Sequence, residues 1–187
     1  NPAGTQAGDF TASPLLPLSG GLYMQLIYGY LPGASTAING STSTGAIFSS
    51  TPTVASSWGN FTIIANGSNY ANPLAFSEAG AFLDAVGDIV VISRQDNPVA
   101  QTYGFPGYWR TICPSGNSPE SASNWGAPTF MFAAREGLAA KPDVISVGGN
   151  GMWLMARDSI SNNQDTGALV QWNAGAGPFP DFPAILN

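Results

Sequence analysis

Asp88-Ile89-Val90-Val91-Ile92-Ser93-Arg94 is the stretch whose reading decides the fold class. Four β-branched apolar residues follow one another in it, and branching at Cβ favours extended backbone over helix. A short apolar run bounded by polar residues reads as a core strand. Working outward, Tyr103–Cys113 and Thr129–Ala133 are further strands, as are Leu22–Tyr28, Ala46–Ser49 and Phe61–Ala65. The clearest hairpin is Val144–Val147, then Gly148-Gly149-Asn150-Gly151, then Met152–Met155, with Ala168–Trp172 as the last strand. Ser77-Glu78 followed by Phe82, Leu83 and Val86 offers the only helix start, an N-cap with an i, i+4 apolar pair. These elements predict an all-β chain, an antiparallel β-sandwich of jelly-roll type.

Composition narrows function. The chain has 187 residues, a length for one β domain over 1–187, with residues 1–20 as an extended lead-in. Charged residues are 9%, against roughly 25% in an average soluble domain. Lys and Arg number 5, Asp and Glu 11, and histidine is absent. Five scattered cations make no phosphate-neutralising footprint, so no nucleic-acid partner is expected. Without imidazole there is no Ser-His-Asp or Cys-His site and no ordinary zinc site. Cys113 is the single cysteine, so no internal disulfide forms and a buried inert thiol is expected. No apolar stretch approaches the ~20 residues that span a bilayer, and no membrane insertion is expected. The start at Asn1-Pro2, without methionine or a signal-like segment, reads as a piece of a longer chain.

The chain also echoes itself. Ala55-Ser56-Ser57-Trp58-Gly59 resembles Ala122-Ser123-Asn124-Trp125-Gly126 at an offset of 67. Arg94, Gln101, Gly104 and Trp109 match Arg157, Gln164, Gly167 and Trp172 at an offset of 63. Together these suggest an internal duplication with half-repeats 55–113 and 122–176. A fainter third copy near Thr44-Gly45-Ala46-Ile47 would make the fold a β-trefoil or β-prism instead.

Trp58 and Trp125 stand in Ser-rich, Gly-flanked contexts, where an aromatic face in a low-charge loop can stack on a sugar. Tyr103 and Tyr108 belong to a second aromatic cluster around Pro106-Gly107 and join them as candidate receptor- or glycan-binding residues. Trp109, Trp153 and Trp172 read as core. Asp158, Asn162 and Asp165 supply oxygen ligands within eight residues, a loop that suits Ca²⁺. Asp84 and Asp88 lie four apart, but no two carboxylates sit in a recognisable catalytic spacing. No catalytic residue is assigned and the chain reads as a non-enzyme.

This pattern of strands with neutral polar loops and aromatic loop residues resembles the protruding (spike) domains of small icosahedral virus capsid proteins. Those of nodaviruses, tetra-like insect viruses and the Lake Sinai virus group are examples. The resemblance covers composition and strand spacing along the whole chain and carries over no functional residue. It implies a domain on the virion surface that binds a host receptor or glycan and packs against copies of itself as a dimer or trimer. An extracellular carbohydrate-binding module or lectin is the alternative, and a carboxylate-based hydrolase the second.

Overall fold

The computed structural model describes residues 15–29, 43–66, 76–95, 107–133, 138–139, 143–147, 151–160 and 164–173. Among these there are strands, turns and 3₁₀ turns but no α-helix. Strands β1 (Leu16–Pro17), β2 (Tyr23–Gly29), β3 (Ser43–Ser49) and β4 (Thr62–Asn66) form the first sheet, in that order. Strands β5 (Phe76–Leu83), β6 (Ile89–Gln95), β7 (Gly107–Cys113) and β8 (Thr129–Ala133) form the second, again in chain order. A third sheet holds β10 (Asp143–Val147), β11 (Gly151–Ile160) and β12 (Gln164–Asn173), with β9 (Leu138–Ala139) paired to β11. Every ladder is antiparallel. Each of the first two sheets is a meander, and the Greek-key crossings of a jelly roll are not among the described pairings.

The first two sheets share one core, so the molecule is an antiparallel sandwich. Met24, Leu26, Ala46, Phe48 and Ile64 of the first meet Ala79, Ile89, Val91 and Cys113 of the second. The apolar run read as a core strand is β6, and it is buried on both faces. Ile89 and Val91 serve the shared core, while Val90 and Ile92 turn to the other face with Phe82 and Tyr108, all four at most 2% exposed. This is why β6 lacks alternation: neither face meets water.

The helix expected from Ser77 to Val86 does not form, since Phe76–Leu83 is strand β5. Gly80 opposes helix by about 1 kcal/mol relative to alanine, and so short a helix is marginal unless its face is buried. Pairing with β6 instead buries Ala79 and Phe82. Val86, which the helix would have placed on its apolar side, lies beyond β5 in the turn and is 64% exposed.

The second sheet repeats the first rung for rung. Leu16↔Met24 and Pro17↔Tyr23 recur as Phe82↔Val90 and Leu83↔Ile89. Tyr23↔Ser49 through Ile27↔Gly45 recur as Ile89↔Cys113 through Ser93↔Trp109. A bulge between Thr44 and Gly45 recurs between Tyr108 and Trp109. The opening turns also match. The Leu18 N–H donates to the Leu22 carbonyl (2.7 Å), and the Asp84 N–H to that of Asp88 (3.0 Å). Gly21 and Gly87 sit at equivalent places with φ of 75° and 87°, a left-handed backbone that glycine alone adopts without cost.

The ladders that repeat lie within 16–66 and 82–133, a different pairing from the half-repeats 55–113 and 122–176 of the sequence echo. The offset-63 matches do not share a rung: Arg94 stands opposite Tyr108, whereas Arg157 stands opposite Gly167. Those matches compared scarce residues, and the true repeat is carried by ladder geometry.

Equivalent sheets do not present equivalent faces. Met24 and Leu26 correspond by register to Val90 and Ile92, yet Ile89 and Val91 line the shared core. One face of the first sheet thus packs on the opposite face of the second, a head-to-tail contact. Equivalent positions then meet different neighbours. A Cβ at Gly45 would collide with the Phe61 ring and the Thr62 carbonyl. Its counterpart Trp109 fills the same rung itself, packing edge-on against Phe76 (5.7 Å) and Phe130 (5.3 Å) and donating to Gln95 Oε1 (2.9 Å). Gly45→Ala should destabilise the chain by about 1–3 kcal/mol in urea unfolding. Adding Phe61→Ala should restore only part, because the Thr62 carbonyl is backbone.

Candidate functional site

The sequence echo at Trp58 and Trp125 marks the most closely repeated piece of the structure. A 3₁₀ turn at Ala55–Ser57 delivers Trp58, and one at Ala122–Asn124 delivers Trp125. Both loops leave the third strand of their sheet and return to the fourth. The Val54 N–H donates to the Thr51 carbonyl (2.9 Å), as the Ser121 N–H does to Ser118 (3.3 Å). The Ser57 N–H donates to Val54 (3.0 Å), as the Asn124 N–H does to Ser121 (3.0 Å). Gly59 and Gly126 then tie each loop back to its strand through the Phe48 (2.9 Å) and Ile112 (2.8 Å) carbonyls. Side chains repeat the scheme: Ser57 Oγ lies 2.7 Å from the Thr51 carbonyl, and Asn124 Nδ2 donates to the Ser118 carbonyl (2.9 Å).

The motif extends beyond Ala-Ser-x-Trp-Gly. Thr51-Pro52 matches Ser118-Pro119, and Thr62 matches Thr129, so the loop reads Ser/Thr-Pro-x-x-Ala-Ser-x-Trp-Gly-x-x-Thr twice. Proline sets the first turn, and Ser57 or Asn124 caps the 3₁₀ carbonyls. The Pro and Thr matches were visible in sequence and lie beyond the window around tryptophan.

The two tryptophans differ in exposure. Trp125 is 8% exposed, belongs to the shared core and donates its indole N–H to the Pro119 carbonyl (2.8 Å). It has no free ring face to stack on a ligand, and the expectation for it is corrected. The head-to-tail stacking explains this, for the second loop reaches across to the first sheet, where the Thr62 hydroxyl donates to the Glu120 carbonyl (2.9 Å). Trp58 is half-buried and flanked by the exposed Val54, Ala55, Ser56 and Gly59. Tyr108 is 1% exposed in β7, where alternation turns it into the sheet's second buried face, and it too is removed from the candidates. Tyr103 lies outside the described residues.

The loop expected between Asp158 and Asp165 is shorter than its sequence suggested. β11 runs through Ile160 and β12 begins at Gln164, so both aspartates are strand residues, and Asn162 lies outside the described residues. Asp158 pairs with Thr166 and Asp165 with Ser159, on neighbouring rungs of the ladder. Among the described residues no three His, Cys, Asp or Glu gather where they could hold a metal ion.

Asp84 and Asp88 do structural work. One Asp84 carboxylate oxygen accepts the Val86 (3.0 Å) and Asp88 (2.9 Å) N–H groups, and Asp88 Oδ1 accepts that of Ser115 (2.7 Å). Cys113 is buried; desolvation first, then the nearby Asp88 carboxylate, raise its pKa, so it stays a protonated, unreactive thiol. No helix among the described residues is long and apolar enough to cross a membrane. No protein-family model matches the chain, and no curated protein matches it.

Trp125→Ala should cost about 3–5 kcal/mol of stability, the range for a large core aromatic. Trp58→Ala should cost clearly less. Equal losses in urea unfolding would place Trp58 in the core as well.

Proposed function

We propose that this chain is a surface-displayed attachment domain, the protruding domain of a small icosahedral virus capsid protein. It binds a host receptor or glycan and makes contacts with copies of itself as a dimer or trimer. The observation that supports this reading is the Thr51–Gly59 loop. It is exposed, uncharged, held in one shape by its own backbone bonds, and carries a half-buried tryptophan at its end. A preorganised loop loses little conformational freedom on binding, and an aromatic beside serine and threonine hydroxyls suits a sugar ring. A charge content of 9% fits a surface that packs against other chains, where burying unpaired charge is costly.

An extracellular carbohydrate-binding module is the second reading, favoured by the half-buried Trp58 beside the exposed Ala55 and Ser56, a ring and hydroxyl pairing that suits a sugar. Both readings place function at the loop. On a glycan array the purified chain should bind selectively, and Trp58→Ala should lower that binding at least about tenfold while leaving the fold intact. Binding that requires calcium would bring Asp158, Asn162 and Asp165 into the site. Selective binding unchanged in Trp58→Ala, or turnover of a glycoside by the chain, would contradict the attachment reading at this loop.

A further inference from the structure

We propose that Ser93 and Thr111 hold an ordered water molecule inside the sandwich. Both residues are buried, at 0% and 1% exposure, and both hydroxyl oxygens lack a hydrogen-bond partner. They stand on neighbouring strands, Ser93 opposite Trp109 and Thr111 opposite Val91, which makes them diagonal neighbours on one face. That face is the one carrying Ile89, Val91 and Cys113 into the core shared by the two sheets.

Diagonal neighbours on a ladder lie about 7 Å apart with their side chains somewhat closer, and one water hydrogen-bonded to two hydroxyls at about 2.8 Å joins oxygens up to about 5.6 Å apart. Two hydroxyls supply both donor and acceptor capacity, which meets a water's minimum of two partners. The cross-strand partner of Ser93 on this face is Ala79, a small side chain. The next polar group on this face is already engaged: Gln95 Oε1 accepts the Trp109 indole N–H.

The internal repeat provides a control. At the equivalent rungs the first sheet carries Ile27 and Ile47, two apolar side chains in place of the two hydroxyls. The ladder itself therefore tolerates apolar residues there, and nothing in the backbone demands a hydroxyl at either position. This inference concerns the core of the second sheet and stands apart from the attachment reading.

The test is water-oxygen magnetic relaxation dispersion on the whole chain, comparing wild type with the near-isosteric Ser93→Ala/Thr111→Val double variant. The dispersion amplitude should fall by the equivalent of one long-lived internal water. Each single substitution should also lower the folding equilibrium constant about fivefold or more in urea unfolding, as loss of a buried hydrogen bond does. An unchanged amplitude in a folded double variant would overturn the proposal. So would a rise in the folding constant of the single variants, which is the result for hydroxyls buried dry.

Discussion

Burial of β6 on both faces is the constraint on which the rest of the molecule depends. A strand buried on both faces has no solvent side, so each of its residues must find a packing partner. Ile89 and Val91 find theirs in the face of the first sheet that carries Met24, Leu26, Ala46 and Phe48. Val90 and Ile92 are sealed on the other side with Phe82 and Tyr108. β5, whose helix-breaking Gly80 lies between two alanines, offers little bulk, and it lies against β2 and β3 of the first sheet.

Head-to-tail stacking explains how a duplicated backbone can carry so unlike a pair of sequences. In a sandwich related by a twofold axis, equivalent residues would meet equivalent surroundings and the halves would stay alike. Here the same rung sees a different neighbour in each sheet. Gly45 yields its space to Phe61, while Trp109 fills the matching space itself and anchors on Gln95. Ile27 and Ile47 are replaced by Ser93 and Thr111. Trp58 stays half-buried at a loop end, while Trp125 crosses to the opposing sheet and joins its core. What both halves retain is the part that does not depend on neighbours: hairpin turns, bulge and Pro-to-Gly loop.

Much of the fold was legible from local chemistry. Asp88–Arg94 announced a buried strand, the Gly148–Gly151 stretch announced a hairpin, and the Ala-Ser-x-Trp-Gly echo marked the repeated loop. Less legible was anything decided by tertiary contact. Ser77–Val86 has the spacing of a short helix, and only its pairing with β6 makes it a strand. Trp58 and Trp125 stand in near-identical sequence, so no local rule separates the half-exposed ring from the buried one. Tyr108 falls in the strand expected over Tyr103–Cys113, yet only tertiary packing buries its face of β7. The repeated ladders were hard to read for the same reason, because they are written in register and hardly at all in residue identity.

The attachment reading rests on the surface loop Thr51–Gly59, held in shape by its own backbone hydrogen bonds. The central claim beneath it is that opposite faces of equivalent sheets meet. Methyl-resolved nuclear Overhauser spectroscopy tests it most directly. The methyls of Met24 and Leu26 should show cross-peaks to those of Ile89 and Val91 and none to Val90 and Ile92. Cross-peaks from Met24 and Leu26 to Val90 and Ile92 instead would show equivalent faces in contact and contradict the account.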